Sequence, residues 1–417
     1  RLRALLTEGR QAEVREAALE LSLDPPRTVV ERLPLARLLI DVDLARRAVA
    51  ILKEERLDAD ARDVLALAYA RTGDRVRARM LLDEQAADAT ESSLTHRVRG
   101  EMLLGELKWA EARAALNESL LRSPDDPFTL VLIAASHHYE NDVVTEERIL
   151  RDARRRFPHD PIVAGRLGEL VLALRPTDAG SLAEVVRLLR QAAHRLPLNE
   201  GFRERLSVAL MSLEDWREAV KVLVALTERW PENPAHWNRL GLVRGHLGDL
   251  EGAVEAFESA TKCGTCEGME RYLIFLNLGN AQLQMADRTE ERAKWGRAAW
   301  RTFQAAQTIV PQDARALIGM AKSTVETDPT GDQVHAAIQM YERAIELFKG
   351  GRYPPAVVHE AHLNVALLYT DLWVRDPEAE SEGKRKALWH FEEAAKLVPP
   401  ERWHPSARSA YDDLRSE

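Results

Sequence analysis

The hydrophobic pattern of this chain is a short motif of small and large apolar positions that recurs along most of its length. In each copy a small residue is followed four positions later by a large apolar residue, and three positions after that by a second small residue. The clearest copies are Ala253, Phe257 and Ala260; Ala299, Phe303 and Ala306; and Ala387, Phe391 and Ala394. Spacings of three and four residues place these positions on one face of an α-helix. The pattern therefore predicts a series of amphipathic helices.

The motif has a regular period. Pro124 and Pro158 are 34 residues apart, and so are Pro197 and Pro231. A proline that follows a helix stops it, because the residue before proline is forced out of the helical region. A period of this length fits a unit of two helices joined by a turn, which cannot bury its apolar face alone and must stack on its neighbours.

The period and the motif resemble those of tetratricopeptide (TPR) repeats. The resemblance implies an all-α fold, a right-handed TPR α-solenoid in which helix–turn–helix repeats stack into a superhelix. We expect nine repeats over residues 59–399, and their predicted starts lie near residues 59, 93, 127, 161, 200, 234, 272, 312 and 359. Residues 1–58 are predicted to be degenerate repeats that cap the N-terminal end, and residues 400–417 to be a C-terminal capping helix, since terminal repeats of such arrays are atypical.

Within a repeat, the resemblance assigns a packing role to each position of the TPR consensus. Glycine is expected where the first helix of a repeat crosses the second closely, at Gly100, Gly168, Gly241 and Gly279. Large residues such as Leu116, Phe257 and Phe303 should fill the space that these glycines leave.

Composition narrows the class of protein. The chain is 45% hydrophobic and 30% charged with a formal net charge of −9, which argues against general nucleic-acid binding. No apolar run approaches the length of about 18 residues that a membrane span needs. Arginine is the commoner basic residue, which is typical of a GC-rich bacterial source. The chain begins with Arg1, so we expect a processed or trimmed chain. Since a leader or an anchor could have been removed, the sequence does not decide between a cytoplasmic and a periplasmic location.

The chain shows little that would carry chemistry. Cys263 and Cys266 are its only cysteines, and they follow the Ala253 motif, at the helix end that disfavours a thiolate. They are interpreted as a local disulfide or as two inert thiols. His359 and His362 lack the four-residue spacing of a His-Glu-x-x-His zinc site. No nucleophile motif, phosphate loop or dinucleotide fingerprint is present, so the sequence predicts no enzyme activity, no metal and no cofactor.

The resemblance also implies a concave groove lined by the first helix of each repeat. The positions that correspond to groove residues are Phe128, Val131, Asn238, Leu242, Leu273, Leu276, Asn280, Leu283, Leu363 and Leu367. The C-terminal half of this set is comparatively apolar, which suits a partner helix or an extended hydrophobic peptide. The alternative is that the array itself or its inserted segments bury these residues. Asn277 and Asn364 match the asparagine position of TPR carboxylate clamps, but the matching lysine and arginine are missing, so recognition of an acidic peptide C-terminus is not predicted.

Four repeats are longer than the others. The extra residues fall around 175–181, 287–294, 326–332 and 375–386, and the sequence predicts that they lengthen the turns between the two helices of a repeat. Such turns would lie along one edge of the array and offer a second, charged contact.

These features predict a non-catalytic scaffold or adaptor that binds other proteins in a complex, with no nucleic-acid partner and no insertion into a membrane. One alternative is a sensor or regulatory segment of a larger polypeptide. The other is a thiol-redox protein that uses Cys263 and Cys266.

Overall fold

The computed structural model of the protein describes residues 2, 5, 10–53, 57–328, 331–349, 353–376, 378 and 382–416. Over these residues the chain forms 22 α-helices and one 3₁₀-helix, and no β-strand. The all-α prediction is therefore confirmed. The chain divides into two compact units, residues 1–215 (unit 1) and residues 216–417 (unit 2).

Unit 1 contains twelve of these helices. They are α1 (Gln11–Leu21), α2 (Val29–Asp41), α3 (Ala45–Leu52), α4 (Ala59–Thr72), α5 (Arg75–Ala87), α6 (Ser93–Gly105), α7 (Trp109–Arg122), α8 (Pro127–Tyr139), α9 (Val143–Arg156), α10 (Pro161–Leu174), α11 (Ala179–Arg195) and α12 (Glu200–Ser212). From α2 to α11 consecutive helices pack in pairs as helical hairpins, and each hairpin also contacts the next.

Unit 2 contains the other ten. They are α13 (Trp216–Arg229), α14 (Pro234–His246), α15 (Leu250–Lys262), α16 (Gly268–Arg288), α17 (Arg292–Ile309), α18 (Ala314–Thr327), α19 (Gly331–Phe348), α20 (Pro355–Arg375), α21 (Gly383–Leu397) and α22 (Pro405–Ser416), with the 3₁₀-helix at Pro400–Arg402. Its hairpins are α14–α15, α16–α17, α18–α19 and α20–α21.

Local sequence signals set where the helices begin. Asp160 accepts hydrogen bonds from the backbone N–H groups of Ile162 (2.9 Å) and Val163 (2.8 Å), which caps α10 and satisfies donors that have no partner inside the helix. Proline occupies the first turn of α8, α10 and α14, where its missing N–H costs nothing. Six of the predicted starts, residues 59, 93, 127, 161, 200 and 234, are first residues of observed helices; α16, α18 and α20 begin at residues 268, 314 and 355 instead.

Glycines let the two helices of a hairpin approach each other. A methyl group added to Gly241 of α14 would lie 2.6 Å from the ring of Phe257 on α15, and one added to Gly279 of α16 would lie 2.6 Å from the ring of Phe303 on α17. Real Cβ atoms do not come this close to a neighbour, so these positions require glycine. Phe257 and Phe303 are buried at 3% and 1% exposure, as expected for residues that fill the space over glycine.

Each end of the chain packs on the neighbouring helices of its own unit. Val14, Leu39 and Leu52 of α1–α3 are buried in one cluster with residues of α4 and α5. At the other end Tyr411 of α22 packs with Phe391 and Trp403, with ring centroids 5.4 Å from both. These contacts cover apolar surface that a terminal hairpin would otherwise expose to water.

The prediction that the extra residues lengthen the turns is wrong for the α10–α11, α16–α17 and α18–α19 hairpins, but it agrees with the α20–α21 hairpin, where α20 ends at Arg375 and α21 begins only at Gly383. The extra residues lengthen helices in all four hairpins: α11 has 17 residues, α16 has 21, α17 has 18, α19 has 18 and α20 has 21, against 13 in α14 and 13 in α15. The α16–α17 turn is only residues 289–291. Extending a helix satisfies each added backbone group internally, which an exposed loop does not. Residues 329–330, 377 and 379–381 of the predicted turns lie outside the described residues.

Candidate functional site

In unit 1, the predicted groove residues are covered by the chain itself. Two guanidinium groups lie over the Phe128 ring: the Cζ of Arg71 is 5.5 Å and that of Arg97 is 5.6 Å from its centroid. Val131 is 5% exposed and belongs to the core. The cation–π contacts stabilise this arrangement, so neither residue presents an open apolar surface.

The same arginines belong to an ion-pair network. Arg71 lies 3.1 Å from Glu101, and Arg97 lies 2.9 Å from Asp126. Burial raises the pKa of Glu101. Although burial acts to raise it, hydrogen bonds from Thr129 and the charge of Arg97 hold the pKa of Asp126 below its usual range. This part of unit 1 is filled with mutually paired charges, which leaves little for a ligand to neutralise.

In unit 2, several predicted groove residues also have partners within the chain. Leu276 is 6% exposed and packs in a core cluster with Tyr272 and Phe303, which corrects its assignment to an open groove. Leu242 is partly buried against the cluster that contains Phe257. The Asn277 side-chain amide donates to Asn238 Oδ1 at 2.9 Å. Leu273 (40% exposed) and Asn280 remain on the surface.

The remaining predicted residues lie at a cavity in unit 2, which we call the unit 2 cavity. It measures about 390 Å³ and is lined by Leu283 and Asp287 of α16; Lys322, Val325 and Glu326 of α18; Tyr341 of α19; and Glu360, Asn364, Leu367 and Leu368 of α20. Three of the four helices are the first helices of consecutive hairpins, which are the helices that line the groove in the predicted array. Leu363 lies on the same helix, partly buried, against the neighbouring core. Leu283 and Leu367, predicted from separate repeats, thus line one cavity.

About half of the residues that line the unit 2 cavity are apolar, and the others are charged or polar. Tyr341 is 2% exposed, and burial together with the nearby Glu360 raises the pKa of its hydroxyl, so the group stays neutral. Lys322 pairs with Glu360, and Arg292 of α17 pairs with Glu326. Among the described residues, none forms an ion pair or hydrogen bond with the Asp287 carboxylate, but the charge of Arg292 interacts with it.

Sequence reasoning missed several of the lining residues, among them Lys322, Val325 and Tyr341. The groove rule takes the second, fifth, ninth and twelfth positions of the first helix of a repeat. Counted from Ala314, where α18 begins, the ninth and twelfth positions are Lys322 and Val325. The predicted start at residue 312 placed this helix two residues too early. The α18 N-cap, Asp313, was the available signal for the correct register, since its side chain accepts from Arg315 N.

The two cysteines are free thiols in the structure, so the interpretation as a disulfide is not supported. Cys263 Sγ donates to the backbone carbonyls of Pro231 and Ser259, both at 3.4 Å. Burial, followed by the charges of Glu232 and Glu270, raises the pKa of Cys263, and burial also raises the pKa of Cys266. Nucleophilic and redox-active thiols need a lowered pKa, so both thiols are shifted in the wrong direction for that chemistry.

The described residues also bear on two other classes of site, metal centres and membrane-spanning helices. No group of three or more His, Cys, Asp or Glu side chains is placed to hold a metal ion among them. None of the helices described is both long enough and apolar enough to cross a membrane.

Comparisons with known proteins agree with this architecture. A tetratricopeptide repeat family model matches residues 204–265. The crystal structure of the C-terminal part of a TPR repeat-containing protein from Cytophaga hutchinsonii is similar, with 14% identity, a TM-score of 0.51, and coverage of 67% of this chain and 98% of that chain.

Two other solved structures are similar to smaller parts of the chain. YrrB, titled a TPR protein with an unusual peptide-binding site, has 15% identity and a TM-score of 0.39 over 54% of this chain and 97% of its own. PilW, titled a type IV pilus biogenesis factor, has 13% identity and a TM-score of 0.42 over 54% of this chain and 96% of its own. No curated protein is significantly similar in sequence. The family match over residues 204–265 and the similar fold of the Cytophaga structure show a TPR-type repeat fold, and the described residues repeat its hairpins and glycine crossings.

Proposed function

We propose that this protein is a non-catalytic scaffold or adaptor that holds a segment of another protein in the unit 2 cavity. The observation that carries the proposal is the convergence of Leu283, Val325 and Leu367, from three different hairpins, on one cavity of about 390 Å³. That volume lies near the small end of the range for ligand sites, about 300–1,000 Å³. It accommodates one or two side chains of a peptide laid across the helices.

The alternative that the chain buries its own groove applies to Phe128, Val131 and Leu276, but less to the cavity. Leu367 and Leu368 are only partly buried, and Asn364 offers an amide that can pair with a peptide backbone. Apolar walls with a few placed polar groups are the usual composition of a binding site.

We propose a second contact at the edge of unit 2 where its lengthened helices end, around residues 287–294, 326–332 and 375–386; residues 175–181 are the equivalent position in unit 1. Asp287 belongs both to this edge and to the lining of the unit 2 cavity. Charged contacts on an exposed edge should weaken with salt, because screening acts over about 8–10 Å at physiological ionic strength.

The test is affinity purification of the tagged chain in its native organism, with mass spectrometry of the retained proteins. Leu367→Glu introduces a charge into the cavity wall, and Leu397→Glu, at a leucine of α21 that is 39% exposed, is the matched control. A partner retained by the wild type and by the control but lost from Leu367→Glu supports the proposal. If both folded variants retain every partner, or if the wild type retains none, the proposal is contradicted.

A further inference from the structure

The charges around the unit 2 cavity do not balance. Three carboxylates, those of Asp287, Glu326 and Glu360, face two cations, Lys322 and Arg292. Each cation already has a partner, since Lys322 pairs with Glu360 and Arg292 with Glu326. Among the described residues one net negative charge is therefore left over, and Asp287, which Arg292 attracts without forming an ion pair, is the least compensated of the three carboxylates.

Asp287 is placed beside the apolar wall. It follows Leu283 by four residues on α16, so the two side chains share one face of the helix. Both line the cavity, whereas the neighbouring Arg288 does not. A ligand that fills the apolar part therefore passes within reach of the Asp287 carboxylate.

Resting on the proposed function, we infer that the unit 2 cavity selects a peptide segment in which a leucine-like side chain is accompanied by a nearby lysine or arginine. The apolar side chain enters between Leu283, Val325 and Leu367, and the basic group pairs with Asp287. An acidic segment would be repelled by the Asp287 carboxylate, with which no described residue forms an ion pair. To gain a cation it would have to separate Lys322 from Glu360. Charge complementarity at the rim thus acts mainly on the choice of partner.

The experiment uses the full chain and fluorescently labelled nine-residue peptides in a Gly/Ser background, with blocked termini and a central leucine. One lysine is placed at each position from one to four residues on either side of the leucine. A matched set carries glutamate in place of lysine, and a third set carries serine in place of leucine. Binding is measured by fluorescence anisotropy in low and in physiological salt.

The expected result is that at least one leucine–lysine peptide binds more tightly than its glutamate counterpart, and more tightly than its serine counterpart. Asp287→Asn should weaken that lysine peptide by about two- to fivefold, the size typical of an exposed ion pair, and Asp287→Lys should reverse the preference. The control Asp412→Asn, at an exposed aspartate of α22 outside the cavity lining and outside the proposed edge, should leave the preference unchanged.

The outcomes separate the two proposals. If the leucine is required but lysine and glutamate peptides bind equally, or if Asp287→Asn has no effect while the protein melts as the wild type does, the charge selection is overturned and the scaffold function stands. If no peptide binds in a leucine-dependent way, both the charge selection and the peptide-binding role of the cavity are overturned.

Discussion

The Nδ1 atom of His362 lies 3.0 Å from the Nδ1 atom of His390, within the buried interface of α20 and α21. One ring must donate its Nδ1–H and the other accept, so the contact requires both imidazoles to be neutral or to share one added proton. The two side chains are 6% and 4% exposed, and Trp389 and Tyr369 pack around them. Burial lowers the pKa of both, and that of His390 to about 3.

This pair predicts that the protein loses stability in mild acid. The folded-state pKa lies below the unfolded value of about 6.5, so the unfolded state binds more protons between the two values. The stabilisation is complete above about pH 6.5 and is lost as the pH falls from there towards the folded pKa. We expect a loss of about 1–2 kcal/mol for one such histidine between pH 7 and pH 5.

Urea denaturation at pH 7.5 and pH 5 checks the expectation. The double variant His362→Leu with His390→Leu should lose less stability over this range than the wild type, because replacing both partners leaves no buried group to protonate. The control is His159→Leu, at an exposed histidine of unit 1, which should behave as the wild type does. Equal losses in all three proteins would contradict the role of the pair.

The close helix crossing at Gly241 predicts a position-specific cost. Gly241→Ala should destabilise the protein by about 1–3 kcal/mol, because the new methyl group overlaps the Phe257 ring. Gly245→Ala lies on the same helix, α14, where an added methyl group meets nothing within 4 Å. That variant should gain up to about 1 kcal/mol from helix propensity. Thermal melting of the two variants distinguishes them, and an equal change in Tm would show that the assigned hairpin packing is wrong.

The backbone at Leu107 predicts a stabilising substitution. This residue joins α6 to α7 with a φ of 64°, and its side chain is 71% exposed. A left-handed conformation costs a non-glycine residue about 1–2 kcal/mol. Because the Leu107 side chain is mostly exposed, its burial offsets little of this cost. Two equivalent turns have glycine at this position, Gly73 and Gly248, whereas two others have Asn141 and Glu214.

We therefore expect Leu107→Gly to raise Tm by a few degrees, or at least not to lower it. Leu121→Gly, at a leucine of α7 that is 75% exposed, should cost about 1 kcal/mol, because glycine is unfavourable inside a helix. Differential scanning calorimetry of both variants checks the prediction. A loss at Leu107→Gly as large as that at Leu121→Gly would show that the leucine stabilises the turn.

The buried thiols predict slow alkylation. Because the pKa values of Cys263 and Cys266 are raised, the rate of reaction with iodoacetamide in the native state should remain low at pH 7 and should rise only above the ordinary thiol pKa of about 8.5. In urea both thiols should react at the rate of free cysteine. The rates are read from the mass of the intact chain over time. Rapid alkylation of the folded protein at pH 7 would contradict the raised pKa of the thiols and would support the thiol-redox alternative.

Contacts inside one hairpin could be predicted from the sequence alone. Gly241 and Phe257 are 16 residues apart. The sizes of the two side chains indicate that Gly241 is the small position at the helix crossing and that Phe257 fills the space beside it. Helix starts such as Pro161 after Asp160 are equally local, because the cap and its partners lie within one turn. The repeated hairpin and the all-α class were therefore determined by the sequence.

Which groove positions remain open was decided only by the tertiary structure. Leu276 and Leu367 are the same residue type and were both predicted to line the groove, yet Leu276 is buried against Phe303 while Leu367 lines a cavity. The difference comes from neighbouring hairpins, whose offset depends on helix lengths that the extra residues changed. The net negative charge beside Asp287 also depends on the packing of the helices, because Arg292 and Lys322 form ion pairs with Glu326 and Glu360 on other helices. The sequence determines the contacts made within about one repeat. The exposure of a side chain and the balance of charges around it depend on residues that are far apart in the sequence and that only the packing of the hairpins brings together.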